Sequence, residues 1–314
     1  MRKAIKLIGI ILFVYILSRI NWSELIEVFR EMNGVYFVFA LLFIFPTIIV
    51  RTLKWRDIVQ TLESREFPFW SLFSMYLKAL SLGLVTPGKI GEFYRARYLS
   101  QQYGVSFGKA LWTVVVERGV DFLTDAIVAV AGIAILFFVF GVEVSFLGIL
   151  FLLVLMILSI VFFTQRNFAR TLFEIAIKPF LPVRMKKKAE EFLKDFLAEM
   201  WILNRSLLWR LFVYDAFGLV LVVGAHFLIA ISLSIPISFW YLSVALVLVG
   251  MLTILPISVL GIGVREAGYI FFFSLVGLTI EQALAFSLLA LFWSISFRIS
   301  GFALLYGPIK SRTA

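Results

Sequence analysis

The chain has 314 residues, of which 62% are hydrophobic and only 15% charged, against roughly 45–50% apolar and about 25% charged residues in an ordinary globular domain. A mean hydropathy of +1.03 and apolar runs from one end to the other exclude most water-soluble folds and call for several membrane spans. The formal charge is +10, and on so apolar a chain a basic excess belongs to cytoplasmic loops facing anionic lipid, not to a nucleic-acid surface. Cysteine is absent, which removes disulfides, thiolate nucleophiles and Cys-ligated metals. The expected class is an all-α polytopic membrane protein: one integral membrane domain over 1–314, with about six full spans and two broken or re-entrant helical hairpins.

In chain order, Arg2, Lys3 and Lys6 precede an apolar stretch to Ser18. No small-x-small cleavage site follows, so the spacing predicts an uncleaved first helix with its N-terminus inside. A net acidic loop with Glu24, Glu27, Arg30 and Glu31 suits the outside. A second helix, about Val35 to Trp55, ends in Arg51, Lys54 and Arg56, a basic cluster that marks the inside. Trp70 opens a short apolar segment that stops at Thr86-Pro87-Gly88, followed by a charged helical piece from Ile90 to Gln101. From Ser106 to about Phe140 the pattern is one long helix, charged in its first half and apolar in its second; a further span covers 146–163. The polar region of about 165–206 holds Arg166, Arg170, Lys178, Arg184 and Lys186-Lys187-Lys188. It then offers an amphipathic helix with Phe192, Leu193, Phe196, Leu197, Met200 and Trp201 on one side, suited to the cytoplasmic membrane surface or to an ordinary basic loop that orients the protein. Apolar stretches at Leu207–Ser232 and Phe239–Leu255 follow, the latter breaking at Pro256; a short helix to about Val276 and a last span from Glu281 to about Tyr306 complete the chain. His226, alone of its kind and within an apolar run, reads as a packed, helix-bonded neutral imidazole sooner than as a proton site.

The two broken segments resemble each other. In the first, a short apolar helix reaches Pro87, a glycine-flanked turn delivers Glu92, and Tyr103-Gly104-Val105-Ser106 starts a long helix with Ala110 near its beginning. In the second, the helix reaches Pro256, a Gly-rich turn delivers Arg265-Glu266, and Val276-Gly277-Leu278-Thr279 starts a helix with Ala283 in the matching place. We read a repeat of hairpin plus helix, about 70–140 and 239–307. Charge counting has the first hairpin enter and leave on the inner side and the second on the outer side, so the repeats are inverted, the sequence pointer to a transporter with a site near the midplane. Two kinked spans in a structural bundle are the alternative.

At 100° per residue, Glu117, Asp121, Asp125 and Arg118 fall at about 0°, 40°, 80° and 100° and share one face of the long helix. A charge at the bilayer centre costs roughly 2.5–3.5 kcal/mol, so these four should face a cavity or each other. Arg118 can pair with Asp121 at i+3, leaving Arg95 or Arg265 for the remaining acids. Glu92 and Arg95 follow the first hairpin tip; Arg265 and Glu266 open the returning helix of the second, where a helix N-terminus and an arginine favour phosphate or carboxylate. Arg298 shares a face of the last helix with Ser287, Ser294 and Gly301. Ion pairs that lock helices together are the competing structural reading of the same residues.

The strings Thr86-Pro-Gly-Lys-Ile-Gly-Glu92-Phe-Tyr-Arg95, Glu117-Arg118-Gly-Val-Asp121 and Gly261-Ile-Gly-Val-Arg265-Glu266-Ala resemble the signatures of the flippase-like membrane family that includes the transmembrane region of lysylphosphatidylglycerol synthases. The resemblance covers nearly the whole chain. It implies a lipid translocation domain whose path is lined by Glu92, Arg95, Glu117, Arg118, Asp121, Arg265 and Glu266. The bifunctional synthases carry a further soluble aminoacyl-transferase domain; this sequence ends at Ala314, and aminoacylation is not expected of it.

The expected function is therefore flippase-like transport of a phospholipid or polyprenyl-linked lipid with a charged head group, with Arg95, Arg118, Arg265 and Arg298 neutralising its phosphate. An intramembrane transferase working through Glu92, Glu117 and Asp121 is the alternative, and a non-catalytic membrane partner of a separate lipid-modifying enzyme is a third. No His-Glu-x-x-His string and no phosphate-binding Gly-rich loop occur, so neither metal nor cofactor is expected. Partners are membrane lipids, anionic or phosphate-bearing, and no nucleic acid. The expected location is the plasma membrane, multi-pass, with both termini cytoplasmic.

Overall fold

The computed structural model describes residues 2–140, 165–176, 193–198, 204–254 and 261–305, with 153, 154, 156, 157, 161, 190 and 258 besides. Most of the expected span at 146–163, the basic run from Arg184 to Lys188, Pro256 and the C-terminal tail lie outside the described residues. Among those described, every regular element is helical: α1 (Arg2–Arg19), α2 (Trp22–Arg30), α3 (Gly34–Leu42), α4 (Ile44–Glu63), α5 (Phe69–Val85), a 3-10 turn (Pro87–Phe93), α6 (Tyr94–Tyr103), α7 (Phe107–Phe140), α8 (Arg166–Ala176), α9 (Arg205–Ser232), α10 (Phe239–Ile254), α11 (Val264–Ser274) and α12 (Ile280–Leu305). Three helical stretches there are long and apolar enough to cross a membrane, Gly34–Glu63, Arg205–Ser232 and Ile280–Leu304. Phe69–Val85 and Phe239–Thr253 are shorter apolar helices. Trp22, Trp70, Trp209 and Trp240 all stand exposed within the first five residues of their helices, the amphipathic ring placement favoured at a bilayer interface.

Two expectations change. The acidic segment after α1 is a helix, α2, bent 88° from α1. Asn21 makes the corner: its side chain accepts from the Ser23 and Glu24 N–H groups, and its own N–H donates to Glu281 Oε1 at 2.9 Å. A side-chain cap followed by Glu24 in the first turn is a strong helix start, and it outweighs the polar composition. The second helix is broken at Phe43 and α4 then continues to Glu63, so Lys54 lies inside a helix and is only 1% exposed.

The chain packs as two compact units that alternate along the sequence: Met1–Ile49, Leu80–Glu92 and Phe217–Tyr306 form one, and Val50–Ala79 with Phe93–Ala216 the body of the other. In the first, α11 lies against α1, α10 and α12, and α2 against α12. The approach of α1 to the second hairpin is backbone to backbone. A Cβ on Gly9 would stand 2.6 Å from the Ile262 carbonyl oxygen, and Gly263, at φ 86°, faces the Gly9 backbone. Only glycine combines that φ with that proximity. In the second unit, Ile58, Leu62, Trp112, Val116, Val120, Leu207 and Leu211 form a core joined by Phe196. Phe196 meets the edge of Trp112 at 4.9 Å, so the one described piece of the expected amphipathic surface helix is anchored on protein.

The starts of α7 and α12 share a local design. Gly104 (φ 69°) and Gly277 (φ 79°) take left-handed conformations. Two residues on, the Ser106 and Thr279 side chains accept from the N–H groups of Lys109 and Gln282. Ala110 and Ala283 then donate to the carbonyls of those same caps, and both are fully buried.

Candidate functional site

Charged side chains are buried in both units. In the unit containing α4 and α7, Lys54 is central. Its ammonium donates to Asp121 Oδ1 at 2.6 Å, to Asp215 Oδ1 at 2.5 Å and to the Glu117 carbonyl at 3.4 Å. Three donors thus find three acceptors, on α7 twice and on α9, and none of the ammonium's capacity is left over. Arg118 donates to Asp121 Oδ2 at 3.1 Å, the i+3 pairing the sequence suggests. Thr124 donates to Asp215 Oδ2 at 3.2 Å.

One turn from this group, Arg95 on α6 pairs with Glu117, both side chains 1% exposed. The guanidinium lies against the rings of both Trp55 and Tyr76, 5.0 and 4.8 Å from their centroids. Tyr76 donates to the Glu117 carboxylate at 3.0 Å, and Trp55 donates its indole N–H to Thr113 at 2.9 Å. A desolvated arginine against an aromatic face gains about 2 kcal/mol or more from a good contact, and the carboxylate balances its charge. Lys54, Arg95 and Arg118 against Glu117, Asp121 and Asp215 give +3 − 3 = 0. The most open edge, among the described residues, is at Arg118 and Asp121, whose side chains are 29% and 26% exposed. Beside Thr124 lies a pocket of about 240 Å³, apolar but for that hydroxyl and lined also by Ile127, Val128, Trp209, Phe212 and Val213.

In the other unit both helix breaks dock on α12. The first hairpin closes on Thr86, whose hydroxyl accepts from Gly91 N–H at 2.6 Å while donating to the Leu82 carbonyl at 2.9 Å. A Cβ on Gly91 would collide with the Leu82 backbone and one on Gly83 with the Glu92 side chain, which explains the glycines flanking this turn. Glu92, 3% exposed, is held by Arg298 of α12 at 3.4 Å, and Ser81 donates to the Arg298 carbonyl. In the second hairpin, Glu266 reaches back to cap its own helix, accepting from Gly263 N–H at 2.6 Å. Its other oxygen accepts from Arg265 at 2.5 Å and from Ser287 of α12 at 3.0 Å, and Arg265 also donates to Ser287. Ser287 and Arg298 are eleven residues apart, about 16 Å along the axis and within roughly 20° of one face. The expected stripe on the last helix is thus occupied by the two hairpins.

The eight residues expected to line the lipid path are therefore in polar assemblies: Arg95, Glu117, Arg118 and Asp121 in one unit, Glu92, Arg265, Glu266 and Arg298 in the other. Arg265 pairs with its neighbour Glu266. Sequence reasoning missed Lys54, assigned to a cytoplasmic helix end, and Asp215, which it did not single out. The available signal was that both interrupt strongly apolar helices, where an unpaired charge is costly. His226 behaves as expected: Nδ1 is 2.7 Å from the Val222 carbonyl, which fixes it as the N–H tautomer, and the ring packs on Trp293 at 5.1 Å. Among the described residues no group of acidic, His or Cys side chains is arranged to hold a metal ion.

These features define a multi-pass helical membrane protein that carries paired charge inside its apolar body. The chain belongs to the family described as the lysylphosphatidylglycerol synthase TM region, whose model matches residues 4–297. It is also 30% identical, over 123 residues, to a UPF0104 membrane protein of Methanocaldococcus jannaschii; that stretch is 38% of this chain and 36% of the relative, so the likeness spans little more than a third of either. No solved structure matches the chain.

Proposed function

We propose that the protein is a flippase-like lipid transporter, moving a phospholipid or polyprenyl-linked lipid with a charged head group between leaflets. The observation that carries this reading is the docking of two broken hairpins on one face of α12, Glu92 through its pair with Arg298 and the buried Arg265–Glu266 pair through Ser287. Non-helical backbone at membrane depth is tolerated where protein buries it or where it lines a cavity, and paired broken helices are the build of transporters. Membership of a lipid-related membrane family supports the lipid as cargo. The matched starts of α7 and α12 support a repeat over about 70–140 and 239–307, which we take as inverted within a single domain of about six spans.

Exposure supports a division of roles among the arginines. Arg95 and Arg265 are enclosed by their partners, so their role is to hold the path's walls; Arg118, with Asp121, presents charge at an exposed edge. We assign the phosphate contact to Arg118, with the acyl or prenyl chains remaining in lipid. We assign the protein to the plasma membrane with both termini cytoplasmic, an orientation that the basic inner loops support. The transferase reading loses support at two of its three proposed acids, since Glu92 and Glu117 are each 3% exposed or less and engaged by arginine; the side chain of the third, Asp121, is 26% exposed and already bound by Lys54 and Arg118.

The test is reconstitution in vesicles carrying a fluorescent anionic phospholipid, with inner and outer label distinguished by an impermeant quencher. Wild type is expected to move the lipid, and Arg118→Ala and Glu92→Gln to slow it at least tenfold. Equal movement by all three, or none by any, overturns the proposal.

A further inference from the structure

The Lys54 cluster has a feature that lipid binding does not explain: two carboxylates on different helices share one ammonium. Asp121 has more than this ammonium to hold its charge, because Arg118 binds its second oxygen at 3.1 Å and Arg51 on α4 acts on it electrostatically. Asp215 has the shared ammonium at 2.5 Å and, on its second oxygen, the neutral hydroxyl of Thr124 at 3.2 Å. On its own helix, Arg210 is taken up by Asp57. On α7, Glu117 turns its carboxylate to Arg95, and Asp125 lies one turn beyond Asp121. Of the two acids, Asp215 is the one whose negative charge is least compensated, and it stands beside a like charge.

We propose that Asp215 is a proton-binding site that couples proton uptake to engagement of the anionic head group. The step is simple to balance. A proton from water adds to Asp215, turning carboxylate into carboxylic acid; Lys54 keeps its three protons and no other bond breaks. The new O–H donates to Thr124 Oγ, since a hydroxyl serves a carboxylate as donor and an acid as acceptor. Lys54, Arg118, Asp121 and Asp215 go from a net charge of zero to +1, at a cluster whose edge at Arg118 is open. An anionic head group arriving there restores neutrality, so each ligand favours the other's binding, and the favour is reciprocal. Protonation also replaces the ion pair tying α9 to α4 with a weaker bond, which frees α9 to shift when the lipid is bound. The purpose assigned to the site rests on the lipid-transport reading; its existence does not.

Two measurements separate the two ideas. Infrared difference spectra of the purified protein, taken as pH is lowered from about 8 to about 5, are expected to show the carbonyl stretch of a protonated carboxylic acid. Asp215→Asn should abolish that band and Glu92→Gln should leave it. Thr124→Val, which keeps the shape, should move the titration to higher pH by roughly one unit, a tenfold gain in proton affinity, because the charge-assisted bond lost by the carboxylate is stronger than the neutral bond lost by the acid; this variant serves if Asp215→Asn does not fold. In vesicles, an imposed pH gradient should speed wild-type lipid movement severalfold and leave Asp215→Asn unaffected. No titrating band, or a band unchanged in both Asp215→Asn and Thr124→Val, overturns the proton site. A band that depends on Asp215 without any lipid movement keeps the proton site and removes the lipid-transport reading.

Discussion

The two polar assemblies solve the same problem by different routes. At the second hairpin, Arg265 pairs with the next residue and Glu266 caps the helix it begins, three residues from Gly263, while the first hairpin of the same unit relies on a distant partner, Arg298 for Glu92. In the other unit, Lys54 binds acids 67 and 161 residues away. A local pair forms as soon as its turn forms and adds little information about the tertiary fold. A distant pair is made only when α4, α7 and α9 are all in place, so a fault in any of them strands a buried charge. Removing one partner of such a pair costs more than the pair itself contributes. The distant assembly should therefore be the fragile one, and also the one able to respond to a ligand.

That contrast can be broken most directly at Lys54. Lys54→Met leaves Asp121 and Asp215 facing each other without their shared cation, and we expect a loss of about 3–5 kcal/mol, read as a drop of the thermal midpoint in detergent. Adding Asp215→Asn to it should recover part of the loss; a double variant no better than the single would show that packing, not charge, sets the cost. Next comes Gly263→Val. A β-branched side chain at φ 86° in contact with the Gly9 backbone should cost about 2–3 kcal/mol, and a neutral outcome would mean that α1 and the turn can part freely.

Glu266→Gln keeps an acceptor for the Gly263 N–H but discharges the partner of Arg265. An effect of about 1–2 kcal/mol is expected, smaller than at Lys54; the reverse order would undo the distinction between local and distant pairs. The smallest stability change should come from Arg118→Ala, below about 1 kcal/mol for a pair this exposed. Its effect on lipid movement should nonetheless be large, and a variant that is stable but inactive is the outcome that separates a contact residue from a structural one.

Much of this was legible in advance. The Gly104–Ser106 and Gly277–Thr279 starts, the break at Pro87 and the continuous helix to Phe140 follow from turn and cap residues acting over a few positions. The Arg118–Asp121 pair follows from helical spacing. Lys54 was misjudged because a basic residue followed by Arg56 looks like a helix end by composition, whereas α4 runs on to Glu63. Asp215 gives a local signal no stronger than any acid near Arg210. Phe196 read as a membrane-facing residue because periodicity gives an apolar face without naming what covers it.

What the sequence by itself determined is the solvent, the helical class, the places where helices break and the residues whose charge is out of keeping with an apolar surrounding. Each depends on composition or on neighbours within one or two turns. Only the tertiary structure decided which charge answers which: Arg95 with Glu117 beside two aromatic rings, Arg298 with Glu92, and Lys54 with two aspartates. Those choices depend on which helices lie side by side, and an ion pair across helices carries no spacing rule along the chain.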